Sequence, residues 1–261
     1  LKFKKKIQNE ILIINDNSSN KLILNFKKLK LIKKIKIISL KNNFGSQKAI
    51  AIGLNYLKKI KGNFYITVMD GDGEDGPNQV KTMLQSAISN PSYVITSNRK
   101  KREEALIIVF LYKLHLLITY LFTLKWITFG NFTTFNKKNL NDLFKDNSSW
   151  YAHSSSILKN CKIKRLYFKR EKRYFGKSKL GLSALIEHSL RVNSVFYKNT
   201  FLLSLVYLFL TFIFLEGILK IFFIFGFLLF NFLIIFIKIK HWRKKINNIS
   251  TFIKKIELFK T

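Results

Sequence analysis

One apolar stretch near the C-terminal end constrains this chain more than any other feature. Between residues 199 and 237 the sequence is almost entirely Phe, Leu and Ile, and only Glu216 and Lys220 carry a charge. One membrane-spanning helix needs about 20 apolar residues, so the stretch is too long for a single span. Because the two charges fall near its middle, the pattern predicts a hairpin of two short spans, 199–215 and 221–237, with the turn at Glu216 and the glycine after it.

The segments that flank the hairpin predict its orientation. The aromatic and basic run His241-Trp242-Arg243-Lys244-Lys245 follows it directly, and such flanks remain in the cytoplasm. A buried hairpin in a soluble protein is the alternative, but the stretch offers no polar face to water. We therefore expect a multi-pass protein of the cytoplasmic (inner) membrane, with residues 1–198 and a basic tail, 241–261, both in the cytoplasm.

A third apolar stretch, residues 105–129, carries a polar stripe. His115, Thr119 and Thr123 recur every four residues, which places them on one face of a helix. This pattern is typical of a helix that lies at a membrane interface or packs on a neighbouring domain, and less typical of a membrane span.

The first hundred residues alternate between short β-branched runs and a helical pattern. Strands are predicted over 10–15, 35–40, 64–69 and 93–96, and a helix with one apolar face is predicted over 47–60. Strands separated by a helix of this length pair in parallel through a crossover. The sequence therefore predicts an α/β layer architecture.

Composition gives a weaker constraint than these patterns. The formal net charge is +33, which by itself favours nucleic acid or an anionic membrane as partner. A nucleic-acid-binding protein would interleave aromatic and basic residues, whereas the aromatic residues here concentrate in the hairpin. We therefore expect no nucleic-acid partner. The single cysteine, Cys161, excludes an internal disulfide and a thiolate metal cluster within this sequence.

The strongest chemical signal directly follows the predicted strand 64–69. There the sequence MDGDGED places carboxylates at alternate positions, Asp70, Asp72 and Glu74. Ligands of open α/β sheets bind at the carboxyl ends of strands, and carboxylates suit a hard divalent cation that also holds phosphate oxygens. An acidic turn without a ligand is the alternative interpretation.

Two other loops have the composition of a nucleotide site. The first predicted strand runs into the polar loop that contains Asp16, and the segment Asn43-Phe44-Gly45-Ser46 leads into the predicted helix. Asp16 and nearby hydroxyls suit a nucleotide, and a helix N-terminus suits a phosphate. A plain turn and a plain helix cap are the alternatives.

Taken in order, these motifs resemble the family-two glycosyltransferases, which have the A-type, Rossmann-like nucleotide-sugar-binding fold. The resemblance rests on INDNSSN, NFGSQKAIAIGLNY, MDGDGEDGPNQV and ITSNRKKR, followed by GNFTTFNKKNL and RYFGKSKLGLSALIEHSLRVNSVF. The last segment, which runs from Arg173 towards the hairpin, is similar to the polyprenyl-phosphate branch. That branch includes enzymes like dolichol-phosphate mannosyltransferase and undecaprenyl-phosphate glycosyltransferase.

The resemblance implies a metal-dependent, inverting hexosyltransferase of cell envelope polysaccharide synthesis. Its donor would be a nucleotide-sugar and its acceptor polyprenyl phosphate, at the cytoplasmic membrane face. Such an acceptor is already an anionic nucleophile, so the site needs electrostatic positioning more than a general base. The resemblance implies that Asp16 holds the nucleoside. It implies that three carboxylates surround Mg²⁺ or Mn²⁺ on the diphosphate, namely Asp70, Asp72 and Glu74; Asp70 and Asp72 would be the catalytic pair, and Asp70 would also contact the nucleotide-sugar. Four residues would meet the lipid phosphate: Arg99, Arg173, Ser178 and Lys179.

The sequence also departs from the family pattern. Asn15 stands where the family usually has an Asp, and Gly76-Pro77 replaces the usual Pro-Pro. The family's first strand and its "P.YNE" loop have no counterpart ahead of Leu1, so we expect an N-terminally incomplete catalytic domain over 1–198. A short, inactive homologue is the alternative.

Two rival functions remain open at this point. A family-two enzyme that glycosylates a hydroxyl of a lipid-linked or surface glycan would need a carboxylate base, and Asp75 is the nearest spare carboxylate. A non-catalytic membrane homologue is the other rival. The sequence identifies neither the sugar nor the lipid length, and it leaves assembly into a homo-oligomer undetermined.

Overall fold

The computed structural model describes residues 8–19, 32–99, 106–169, 171, 173–174, 182–242 and 248–260. The chain divides into two compact units, which are described separately below: Leu1–Lys61 with Ile246–Thr261, and Gly62–Lys245. The strands are β1 (Asn9–Asn15), β2 (Ile32–Leu40), β3 (Tyr65–Val68), β4 (Tyr93–Arg99), β5 (Phe129–Asn136), β6 (Lys162–Phe168) and β7 (Ile253–Lys260). The helices are α1 (Ser46–Lys59), α2 (Pro77–Ser89), α3 (Leu106–Thr123), α4 (Asn139–Leu143), α5 (His153–Asn160), α6 (Leu182–Ser194), α7 (Tyr197–Phe214) and α8 (Gly217–Trp242).

The first unit is built on a three-stranded sheet in the order β1-β2-β7. β2 lies in the centre because its run of isoleucines is buried, with Ile38 inaccessible to solvent. β1 pairs with it in parallel and β7 in antiparallel orientation. Helix α1 packs on β1 closely enough that a Cβ on Gly53 would lie 3.0 Å from Ile14 Cγ1. The helix predicted over 47–60 is therefore present, and its buried face includes Ile52.

The end of the chain differs from the tail expected over 241–261. Residues 253–260 form strand β7, in which Leu40 of β2 lies opposite Ile253 and Lys34 opposite Lys260. The expectation of a tail rested on the lysines of this segment. Lysines suit an edge strand, however, because their charge discourages further pairing, while the Ile, Leu and Phe between them favour extended structure.

The second unit contains a mixed four-stranded sheet in the order β3-β5-β4-β6. β5 runs antiparallel to both β3 and β4, and β6 runs parallel to β4. The strands β3, β4 and β6 therefore point the same way, and their carboxyl ends lie along one edge of the sheet. A core of Met83, Ala87, Ile95 and Phe132 fixes helix α2 against this sheet.

The predicted α/β class is confirmed, while the pairing of the strands is only partly as expected. The four predicted strands exist, and β1 pairs in parallel with β2. β3 does not continue that sheet in the described structure, since it pairs with β5 instead. Strands β5 and β6 were not predicted, because β5 is rich in Thr and Asn and β6 in Lys and Arg, which mask the apolar alternation.

Helix α3 buries the polar stripe that the sequence predicted. His115 Nδ1 lies 2.6 Å from Ser189 Oγ of α6, and Asn193 Nδ2 of α6 donates to Thr119 Oγ1 at 3.3 Å. The opposite face of α3 exposes apolar side chains such as Phe110. The stripe therefore packs on a neighbouring helix. The helix ends at Thr123, before the predicted residue 129: Leu124 takes a positive φ of 54°, and Phe129 already belongs to β5.

Helices α7 and α8 form the predicted helical hairpin. The turn lies at Leu215 and Glu216, and Gly217 supplies a positive φ of 56°. Both helices are long and apolar enough to cross a membrane, with mean hydropathies of 1.5 over Tyr197–Phe214 and 2.6 over Gly217–Lys240. Insertion into a membrane remains a prediction. Large apolar side chains cover the outside of the hairpin, and few of them are buried within the protein.

Candidate active site

The acidic loop, defined here as Asp70–Asp75, follows β3 at the carboxyl edge of the second sheet. Its conformation is held from within: Asp75 Oδ2 accepts the Asp70 N–H at 2.9 Å, and Asp72 Oδ1 accepts the Glu74 N–H at 3.1 Å. Gly73 takes a φ of 88°, which side-chain-bearing residues rarely adopt. The loop is therefore a tight turn that gathers four carboxylates at the end of a strand.

Strand β5 supports the acidic loop from the neighbouring position in the sheet. Asn131 Nδ2 donates to Asp70 Oδ1 at 3.2 Å. On the same face of β5, Thr133 Oγ1 donates to the Asn131 carbonyl and lies 3.2 Å from His153 Nε2. Burial of His153 lowers its pKa to about 4, so the ring is neutral at physiological pH. A buried, uncharged layer thus lies behind Asn131 and helps to fix Asp70.

Three residues that follow β6, here called the strap residues, run along the acidic loop: Glu171, Arg173 and Tyr174. The Glu171 N–H donates to the Glu74 carbonyl at 3.1 Å, and the Tyr174 N–H donates to the Asp72 carbonyl at 2.9 Å. These two backbone hydrogen bonds attach the strap residues to the acidic loop much as a short strand pairs with its neighbour.

The guanidinium of Arg173 joins two carboxylates of the acidic loop. Its Nη2 lies 3.0 Å from Asp72 Oδ2 and its Nε lies 3.2 Å from Glu74 Oε1. The three side chains are only 27%, 26% and 14% exposed, respectively, so water screens the contact less than it would on the surface. Arg173 therefore acts as a counter-cation of the acidic loop.

Asp75 has a strongly perturbed carboxyl group. Burial raises its pKa to about 6, the backbone N–H of Asp70 opposes that rise, and the charges of Asp70 and Asp72 add to it. The charge of Arg99, the last residue of β4, lowers the pKa of Asp75. Five predicted site residues, Asp70, Asp72, Glu74, Arg99 and Arg173, are thus brought to one edge of the sheet.

The donor set has the chemistry of a divalent-cation site, although its carboxylates do not converge as a three-ligand cage. Among the residues that the structure describes, no group of three or more Asp, Glu, His or Cys side chains is placed to hold a metal ion. Asp72 and Glu74 are instead turned to Arg173. A Mg²⁺ or Mn²⁺ ion at these carboxylates therefore remains a prediction.

Asp16 belongs to the first unit and has a local structural role there. Its Oδ1 and Oδ2 accept the N–H groups of Phe44 and Gly45, each at 2.8 Å. These contacts bind the loop after β1 to the segment that begins α1. The N-cap residue of α1 is Gly45, which has no side chain with which to cap the helix. A role of Asp16 in holding the nucleoside remains a prediction. Ser178 and Lys179, predicted at the lipid phosphate, lie outside the described residues.

Sequence reasoning missed three contributors to this edge of the sheet: Asn131, Glu171 and Tyr174. Asn131 lies within the GNFTTFNKKNL segment, which carried no residue role of its own. The signal for the strap residues is the pair of glycines, Gly73 in the acidic loop and Gly76 directly after it. Both lie close to the strap residues: a Cβ on Gly73 would meet the Tyr174 ring, and one on Gly76 would meet Glu171.

Comparison with known proteins agrees with this geometry. The model of the family described as Glycosyl transferase family 2 matches residues 4–178, which is more than half of the chain and includes the acidic loop, Asn131, Arg99 and Arg173. The comparison with curated proteins gave no match. The chain therefore belongs to glycosyltransferase family 2, whose members transfer a sugar from a nucleotide-sugar donor to an acceptor.

Proposed function

We propose that this protein is an inverting glycosyltransferase that moves a sugar from a nucleotide-sugar to polyprenyl phosphate at the cytoplasmic face of the membrane. One observation carries the proposal. Two guanidinium groups, Arg99 and Arg173, converge with the acidic loop at one sheet edge, in the same compact unit as the apolar hairpin α7–α8.

The charges at this edge match the chemistry of a phosphate acceptor. A polyprenyl phosphate brings its own anionic nucleophile, so it needs cations to position it and little help from a base. The planar fork of an arginine is well suited to phosphate oxygens. On the donor side, Asp70 and Asp72 are the residues expected to face the nucleotide diphosphate, together with a Mg²⁺ or Mn²⁺ ion that would neutralise the leaving group.

The apolar hairpin supports a lipid-linked acceptor. By the rise of an α-helix, α7 is about 27 Å long and α8 about 39 Å, against about 30 Å for the hydrocarbon core of a bilayer. An enzyme anchored in this way can act on the head group of a lipid while the prenyl tail stays in the bilayer. Such an acceptor would not have to be extracted into water.

The pKa of Asp75 favours a second candidate function. A carboxyl with a pKa of about 6 is closer to the working pH than an ordinary aspartate, which suits a general base for a glycan hydroxyl acceptor. Against this role, Asp75 Oδ2 already accepts the Asp70 N–H. The two candidate functions thus make opposite predictions for Asp75→Asn, because only a hydroxyl acceptor depends on a base.

The test uses the full-length protein in lipid vesicles with radiolabelled nucleotide-sugars, Mg²⁺ or Mn²⁺, and three acceptors: polyprenyl phosphate, neutral polyprenol and a lipid-linked glycan. We expect transfer to polyprenyl phosphate alone. Asp72→Ala should abolish it, whereas the control Asp142→Ala, which breaks the exposed pair with Lys145, should not. Asp75→Asn should keep most of the activity.

Three results would contradict the proposal. Equal transfer to polyprenol or to a glycan hydroxyl, with loss of activity in Asp75→Asn, would favour the second candidate function. Full activity of Asp72→Ala would exclude the acidic loop as the donor site. No transfer with any donor and acceptor would support a non-catalytic homologue.

A further inference from the structure

The acidic loop already holds a cation that belongs to the protein. The two carboxylates that the sequence predicts for a divalent metal ion, Asp72 and Glu74, are the two that bind the guanidinium of Arg173, through different nitrogens. A metal ion bound to the same oxygens would lie within a few ångströms of that guanidinium. At this distance the two cations repel each other strongly, which disfavours both being bound at once.

The position of Arg173 is fixed by more than its own ion pairs. On either side of it, the N–H groups of Glu171 and Tyr174 bind carbonyls of the acidic loop. The Tyr174 ring lies against Gly73, and Gln79 Nε2 donates to the Lys169 carbonyl at 2.8 Å, which holds the chain just after β6. The guanidinium is therefore delivered to the carboxylates by a backbone that is itself attached to the acidic loop.

We propose that Arg173 is a resident counter-cation of the acidic loop, and that a divalent cation binds Asp72 and Glu74 only by displacing Arg173 and loosening the strap residues. Arg173 is in this view a positioning residue. It keeps the carboxylates neutralised and ordered before the donor arrives, and its departure accompanies the binding of the cation.

The exchange has a consequence that rests on the proposed function. Arg173 binds Asp72 and Glu74 through Nη2 and Nε, two of the three nitrogens of its fork, so release from the carboxylates would make the whole fork available to a lipid phosphate. Binding of the cation would then prepare the acceptor site as well as the donor site. The competition itself involves no sugar transfer and can be measured without it.

The test is a titration of the purified full-length protein with Mn²⁺ alone, with bound metal followed by electron paramagnetic resonance. Arg173→Gln removes the competing charge and should tighten Mn²⁺ binding roughly tenfold or more, since each charge-assisted contact that no longer has to break is worth about this factor. Arg173→Lys, with a single compact charge in place of a fork, should fall between the parent and Arg173→Gln.

The matched control is Arg165→Gln. Arg165 lies on β6 in the same unit, but its guanidinium donates to the Trp126 carbonyl and not to the acidic loop. The Arg165→Gln variant removes the same formal charge as Arg173→Gln. Because the lost charge does not contact Asp72 or Glu74, the Mn²⁺ affinity should change much less. An equal gain in both variants would mean that net charge alone governs the affinity and would overturn the proposal.

A second measurement on the parent protein covers the case in which Arg173→Gln fails to fold. Hydrogen exchange at the amides of Glu171 and Tyr174 should become faster when Mn²⁺ binds, because the strap residues leave the acidic loop. Binding that leaves these amides as protected as before, weaker binding to Arg173→Gln, or no Mn²⁺ binding in any variant would each refute the exchange. Failure of sugar transfer with a positive Mn²⁺ result would refute only the proposed function.

Discussion

Replacing Gly73 with Ala should detach the strap residues from the acidic loop. Gly73 has a φ of 88°, and a Cβ added to it would lie 2.4 Å from Tyr174 Cδ2 and 2.6 Å from two further ring atoms. A left-handed conformation costs an L-residue about 1–2 kcal/mol before any clash is counted. The Tyr174 ring is 62% exposed and can rotate away from such a Cβ, so the cost that remains is backbone strain at Gly73, next to the Asp72 carbonyl that binds the Tyr174 N–H.

The magnitude follows from the first of these costs. A loss of about 1–2 kcal/mol corresponds to roughly a 5–30-fold change in an opening equilibrium. We therefore expect the amide hydrogen of Tyr174 to exchange with solvent roughly 5–30-fold faster in Gly73→Ala than in the parent protein. The measurement is hydrogen-exchange mass spectrometry of peptides that cover residues 169–174.

Gly76→Ala provides a matched control within two residues of the acidic loop. A Cβ on Gly76 would lie 2.1 Å from Glu171 Oε1, but this atom is the end of a flexible side chain that can rotate away. The φ of Gly76, −73°, is one that alanine adopts without strain. In Gly76→Ala, the amides of the peptides that cover residues 169–174 should therefore exchange with solvent nearly as fast as in the parent protein. Equal exchange in Gly73→Ala, Gly76→Ala and the parent would refute the reasoning that Tyr174 rests on Gly73.

Two further predictions concern stability and topology. His153 has its pKa lowered from 6.5 to about 4, so between these values the unfolded chain binds a proton that the folded protein does not, and stability falls as the pH is lowered. His153→Gln should remove up to about 1.4 kcal/mol per pH unit of this acid sensitivity, seen as a flatter dependence of Tm on pH between 6.5 and 4; an unchanged slope would contradict it. Reporter fusions after residue 150, at Gly217 and at Thr261 should read inside, outside and inside, and an outside reading at Thr261 would exclude the two-span hairpin.

The sequence predicted best those parts of the fold whose burial pattern is simple. The hairpin, with its turn at Glu216, is apolar on nearly every face, and strand β2 contains the buried Ile35, Ile37 and Ile38, so local composition locates both. β5 and β7 escaped prediction because their neighbours determine them: buried Thr133 and Thr134 satisfy their polar atoms inside the sheet, and β7 is an edge strand rich in lysine. Such pairings depend on contacts between distant segments, which local patterns do not record.

For the candidate active site, the sequence located the residues but not their partners. The sequence predicts five site residues that the structure brings to one sheet edge: Asp70, Asp72, Glu74, Arg99 and Arg173. The sequence placed Arg173 at a lipid phosphate, whereas the structure places its guanidinium on Asp72 and Glu74. The motif indicates which residue types converge. It does not indicate which charge occupies the carboxylates before a substrate is present, because that depends on the backbone hydrogen bonds of Glu171 and Tyr174.

The pairing of β7 with β2 has a consequence for biosynthesis. More than 200 residues separate Leu40 of β2 from its partner Ile253 in β7, and the whole of α7 and α8 is made between them. The entropy cost of closing so long a loop grows only slowly with its length, so the pairing loses little stability. The main consequence is a delay, because β2 stays unpaired on that side until β7 has been synthesised. While the ribosome completes the apolar helices, the β2 edge that β7 will cover stays open to strands of other chains. Chains that stall before β7 is made should therefore associate through that edge.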